Sequence, residues 1–132
     1  MSGINKVILI GHLGKDPELR ILSDNIAVTS FPLATSEMIN KNGIKTELTE
    51  WHNIVMWRGL AEAASKHLSK GKLVYLEGKL RTRAFNDKEG VKRYTTEIVA
   101  ESFTKLGRHS DFEMDLDENI TQTRATSLDN II

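Results

Sequence analysis

Through its first hundred positions the chain places apolar residues in short, alternating runs separated by turn residues. Ile4–Leu13, INKVILIGHL, is a β-rich run interrupted by Gly11 and too short for a typical helix. Gly14-Lys15-Asp16-Pro17 supplies turn chemistry, and Pro17 fixes the local φ. Glu18–Leu22 predicts a short strand, which Ser23-Asp24-Asn25 turns back. Ile26–Thr35 predicts a second long strand, in which Pro32 lacks an N–H and belongs at an edge or a bulge. Glu37–Thr49 holds Asn40, Asn42 and Gly43 among charged residues and reads as a flexible hairpin or long loop. Glu50–Arg58 is the next strand.

The period then changes. Leu60, Ala61, Ala64 and Leu68 recur at helical spacing and predict a helix over Gly59–Ser69, with Lys70-Gly71 as its basic last turn and C-cap. Strand period returns in Leu73–Phe85, and after the polar turn Asn86–Gly90 a long strand or bent pair of strands is expected over Val91–Leu106. Three strands, one helix and a strand pair favour an all-β, partly open five-stranded barrel, the OB-fold, with its helix between strands 3 and 4. From His109 the pattern degrades. Residues 1–108 therefore read as one domain and 109–132 as a short acidic tail, expected to be disordered or to fold on a partner.

Charge sharpens that division. Lys plus Arg and Asp plus Glu number 18 each, so the net charge is zero. The balance is uneven: through Arg108 there are 17 cations against 12 acids, and beyond it one cation, Arg124, against six acids. A basic body with an acidic appendage suits a binding domain with an interaction tail. Cysteine is absent, which excludes disulfides, thiol catalysis and thiolate metal sites. No secretory signal or run of eighteen apolar residues is present, so the expected setting is soluble and cytoplasmic, with no membrane.

The strand Leu73–Phe85 carries the most information about function. Residues two apart share a face, so Val74, Leu76, Gly78, Leu80, Thr82 and Ala84 form a core-like face. Tyr75, Glu77, Lys79, Arg81, Arg83 and Phe85 form the other: three cations leading to an aromatic, a footprint for a nucleic-acid strand. In the strand Glu50–Arg58, Trp51, Asn53, Val55 and Trp57 share a face. Large aromatics usually belong in cores, but turning these inward would put Ile54 and Met56 outside. Trp and Phe can stack unpaired bases in any sequence, and Lys and Arg can neutralise phosphates.

Chemistry of the catalytic kind finds little support. His12, His52, His67 and His109 lack metal-binding spacing, Gly11-His12-Leu13-Gly14 is not a phosphate loop, and Asp87 and Glu89 sit in a polar turn. Glu50 and His52 could orient each other, with no nucleophile implied. No enzyme, metal or cofactor is expected. An OB scaffold for protein contacts and an RNA binder are the competing readings.

Several ordered motifs resemble those of the bacterial-type single-stranded DNA-binding proteins over Ile4–Arg108. They are Asn5-Lys6-Val7-Ile8-Leu9-Ile10-Gly11, Leu13-Gly14-Lys15-Asp16-Pro17-Glu18, Leu33-Ala34-Thr35-Ser36-Glu37, Thr49-Glu50-Trp51-His52 and Leu60-Ala61-Glu62. Leu68-Ser69-Lys70-Gly71, the run Val74 to Arg83 and Tyr94-Thr95-Thr96-Glu97 complete the set. The resemblance implies an OB-fold homotetramer that wraps single-stranded DNA during replication, recombination and repair. It puts base stacking on Trp51, Trp57 and Phe85, beside which the alternation of Leu73–Phe85 sets Lys79, Arg81 and Arg83 as the phosphate contacts. It puts Lys6, Ile8, His52 and Tyr75 at subunit contacts. A further aromatic common in the family is replaced here by Met38 or Ile39, and His12 stands where asparagine is commoner. The family's Gly/Pro/Gln-rich linker and Pro-Phe tip are absent, and the chain ends Leu128-Asp129-Asn130-Ile131-Ile132. Asp129, Ile131 and Ile132 are the candidates for docking to replication or repair proteins.

Overall fold

The computed structural model describes residues 2–107. In chain order the elements are β1 (Val7–Leu13), β2 (Glu18–Ile21), β3 (Ala27–Lys41), β4 (Ile44–Trp57), α1 (Arg58–His67), β5 (Leu73–Asn86) and β6 (Lys92–Leu106). They form one sheet in the order β1-β5-β6-β4-β3-β2, and His12↔Ala34 and Leu13↔Leu33 join β1 to β3, closing a barrel. The pairings are antiparallel except for β4 with β6, a parallel seam of two register pairs, Ile54↔Ile98 and Val55↔Val99. The short β2 is an exposed offshoot zipped to β3. The five long strands, with the helix between the third and fourth, make the OB-fold.

Alternation along these strands fills the barrel. Phe31, Leu33, Ile54, Met56, Val74 and Leu76 point inward and lose contact with water, each burial contributing about 1.5–3 kcal/mol. Helix α1 packs Ala61 and Ala64 onto this core, and Leu68 follows them in. Small residues at those helical positions let the helix lie close against the strands.

Four details resolve or correct the sequence expectation. Glu37–Thr49 is a regular β3–β4 hairpin whose two-residue turn, Asn42-Gly43, has positive φ at both positions, the geometry that matches strand twist. Gly71 is not a C-cap. The helix ends at His67, with Leu68 extended at the cap, and Gly71 belongs to the following turn, closed by the Lys72 N–H to the Ser69 carbonyl. Pro32 pairs with Asn53 of β4 but sits at a local edge within the sheet, where β3 has no ladder partner on its other side. Its carbonyl accepts from the Gly14 N–H, so its missing donor faces the gap between the β2 and β1 ladders and costs β3–β4 no bond.

The fourth detail is a correction: Leu80, Thr82 and Ala84 are expected in the core and found exposed. Parity predicted their face correctly. The barrel wall, however, ends at the seam, where Leu80 pairs with Ile98; beyond it, among the described residues, β5 and β6 pair only with each other. Two arms therefore leave the barrel, one from β3–β4 and one from β5–β6. Among the described residues no helix is long and apolar enough to cross a membrane.

Candidate nucleic-acid interface

Strand register brings the sequence-predicted residues together. The seam sets Val55 beside Val99, and the β5–β6 ladder sets Val99 beside Lys79, Glu97 beside Arg81, Thr95 beside Arg83 and Arg93 beside Phe85. Paired residues project from the same side of a sheet. Trp51, Asn53, Val55 and Trp57 of β4 thus share one outer face with Lys79, Arg81, Arg83 and Phe85 of β5. Trp51 is 61% exposed, Trp57 42% and Phe85 42%.

The cations differ in how free they are. Arg83 donates from Nε to Glu97 at 3.1 Å, and its guanidinium carbon lies 5.8 Å from the Phe85 ring centre, within cation–π range. Lys79 is 3.9 Å from Glu101, the residue bulged out of β6 between Ala100 and Ser102. Among the described residues Arg81 has no ion-pair partner. It is the cation of the row most available to a phosphate.

Trp51 also walls a groove of about 640 Å³ whose cations are Lys15 and Arg20, with Ser30, Pro32 and Asn53 as neighbours. Asp16 and Glu18 sit among them, and the Asp16 carboxylate accepts the Lys70 backbone N–H at 2.7 Å. Sequence reasoning missed Lys15 and Arg20, because only the β1–β3 closure carries the β1–β2 turn beneath Trp51. At the far end of β4, Trp57 precedes Arg58, whose φ of 58° turns the strand into α1. For a non-glycine residue that conformation costs about 1–2 kcal/mol. Among the described residues no group of three His, Cys, Asp or Glu could hold a metal ion.

Residues 4–106 match the sequence model of the single-strand binding protein family. The chain belongs to that family. Single-stranded DNA-binding proteins of two Neisseria meningitidis serogroups, A and B, are each 51% identical over 105 residues, 79% of this chain and 60% of theirs. Single-stranded DNA-binding protein 1 of Chlorobaculum tepidum is 50% identical over 107 residues, 80% of this chain and 66% of its own. The match thus spans about three-fifths of the length of the Neisseria relatives. A solved structure, the Plasmodium falciparum SSB complex with ssDNA, superposes with a TM-score of 0.75 at 30% identity, over 81% of this chain and 98% of that one.

Within this single-strand binding family fold, the residues expected at subunit contacts fall in two places. Lys6, Ile8 and Tyr75 cluster on the outside of β1 and β5, where Ile8 pairs with Glu77 and Ile10 with Tyr75. Lys6 Nζ lies 2.7 Å from Glu77, and the Tyr75 hydroxyl donates to the same carboxylate at 2.5 Å. The hydrogen bond from Lys6, then that from Tyr75, holds the Glu77 carboxyl below its ordinary range; the same contacts raise Lys6 and Tyr75. Ile8 and Ile10 beside them are more than half exposed. His52 faces away from Trp51, half-buried, with Nε2 2.8 Å from the Thr35 hydroxyl, so its partner is Thr35 rather than Glu50. Met38 is exposed on the β3–β4 arm and Ile39 partly so, on opposite faces. Asp129, Ile131 and Ile132, with the rest of the tail, lie outside the described residues.

Proposed function

We propose that this chain binds single-stranded DNA without regard to sequence and protects it during replication, recombination and repair. The observation that carries the reading is the single outer face on which three exposed aromatic rings meet a row of cations. Membership of the family, and similarity to a Plasmodium protein whose structure is a complex with ssDNA, support it. Trp51, Trp57 and Phe85 stack bases, at about 1–3 kcal/mol per base. Arg81 meets phosphates directly, while Lys79 and Arg83 exchange a carboxylate for a phosphate. Lys15 and Arg20 extend the track past Trp51.

Residues 1–108 act as the binding domain, and the acidic 109–132 segment recruits replication or repair proteins through Asp129, Ile131 and Ile132. The exposed isoleucines around Lys6, Glu77 and Tyr75 support assembly of a homotetramer, with Ile8 at its contacts and His52 as a positioning group.

The test is titration with dT oligomers, read by Trp quenching at two salt concentrations. Binding weakens as salt rises, with a slope of log K on log salt of roughly −2 for three neutralised phosphates. Trp57→Ala and Phe85→Ala each weaken binding about five- to a hundred-fold with the fold intact. Absence of binding and quenching at low salt overturns the proposal. Binding of U oligomers equal to that of dT would make RNA an equal ligand.

A further inference from the structure

The β5–β6 arm has a second face that the proposed DNA track does not use. Leu80, Thr82, Ala84 and Asn86 of β5 stand beside Ile98, Thr96, Tyr94 and Lys92 of β6, on the side opposite Arg83 and Phe85. Tyr94 is 65% exposed, more than either tryptophan. The Lys92 ammonium lies 5.8 Å from its ring centre. The two faces of one hairpin therefore carry the same pairing: a cation beside an exposed ring, Arg83 with Phe85 and Lys92 with Tyr94.

Charge and edge geometry say what this face suits. None of its eight sheet positions bears a carboxylate. Of the two acids in the tip turn, Asp87 is engaged by the Glu89 and Val91 N–H groups and by Arg93 Nε, and Glu89 is exposed next to Lys88 in the chain. Thr82 and Thr96 share one hydroxyl–hydroxyl hydrogen bond at 3.1 Å. The apolar content, Leu80, Ala84 and one ring set among Thr, Asn and Lys, is too interrupted for a stable contact between proteins, whose buried centres are more apolar. A single strand asks for less: one π-face for a base and one cation for a phosphate. Among the described residues, no strand pairs with the outer edge of β5 beyond Gly78, and that edge carries only the Asn5 amide bonded to the N–H and carbonyl of Leu80. The edge from Arg81 to Asn86 is open to a strand crossing from one face to the other.

We propose that single-stranded DNA passes over the edge of the β5–β6 arm to a second stacking position, with a base on Tyr94 and a phosphate on Lys92. This rests on the DNA-binding reading above. The experiment compares wild type, Tyr94→Ala, Tyr94→Phe and Lys92→Ala, titrated with short and long dT oligomers by Trp quenching. Thermal unfolding and solution mass of the DNA-free protein are measured in parallel. Tyr94→Ala keeps wild-type quenching by short oligomers, loses roughly ten-fold in affinity for long ones and occludes fewer nucleotides. Tyr94→Phe behaves as wild type, and Lys92→Ala flattens the salt dependence for long oligomers. If wild type quenches but Tyr94→Ala matches it on long oligomers, this inference falls and the parent reading stands. If wild type fails with every oligomer, the parent reading falls. The inference about Tyr94 is also overturned if Tyr94→Ala changes the DNA-free mass, since the ring is then buried between copies of the chain, or if Tyr94→Phe binds as weakly as Tyr94→Ala.

Discussion

Gly14 and Trp51 share one contact: a Cβ placed on Gly14 would stand 2.6 Å from the far edge of the indole and 3.2 Å from the Pro32 ring. The indole is largely exposed and can tilt, so Gly14→Ala moves Trp51 at little cost to the fold, less than about 1 kcal/mol. Gly78 is a different case. A Cβ there would meet the Val99 carbonyl oxygen and the Ala100 backbone, which β-pairing holds in place. Gly78→Ala should cost at least the 1–3 kcal/mol typical of overpacking. Thermal unfolding with Trp emission separates the two: a changed spectrum at near-constant midpoint for Gly14→Ala, a lowered midpoint for Gly78→Ala. Residue-scale legibility follows the same logic. Trp51 and Trp57 could be placed outward because Ile54 and Met56 needed the inside, a decision contained in one strand. Lys15 and Arg20 could not, because the groove they line exists only after distant strands meet.

At the scale of elements, alternation located the strands well and failed where a strand outlives its neighbours. Leu80, Thr82 and Ala84 have core parity without a core beside them, since nothing local marks where the β4–β6 seam stops. The β3–β4 arm was half legible: Asn42-Gly43 is a strong turn signal, but the charged residues around it resemble a loop. The tip of the β5–β6 arm is organised by Asp87. Hydrogen bonding from the Val91 N–H, then from Arg93, holds its carboxyl below the ordinary value of 3.8. A lowered folded value means that the ionised form supports the turn above about pH 3.8, and that this support is lost as pH falls through the lower folded value. Protection of the Glu89 and Val91 amides, measured as exchange relative to the intrinsic rate at each pH, should therefore fall under acid before the barrel unfolds. Asp87→Ala should remove that protection at neutral pH and leave nothing further to lose in acid. Protection at these amides that stays constant with pH in the unsubstituted chain would refute the role of Asp87.

For the whole molecule, a composition with zero net charge concealed a basic body and an acidic tail, and only position along the chain separated them. The β4–β6 seam carries a different consequence, kinetic rather than electrostatic. The hairpins β3–β4 and β5–β6 turn on a few residues each and can zip locally, whereas the parallel seam joins Ile54 to Ile98 with the helix and a third strand between them. The β1–β5 pairing spans more of the chain, Val7 to Gly78, but gains six register pairs, so the seam, with two, is the costlier closure per pair, and such non-local contacts set the pace of β-rich folding. Refolding should then be limited by the meeting of two preformed hairpins. Ile98→Ala should slow it in stopped-flow Trp fluorescence, and so should a substitution that weakens the β3–β4 turn, since that hairpin is formed before the barrier. Unchanged refolding of Ile98→Ala, with faster unfolding alone, would place seam closure after the barrier.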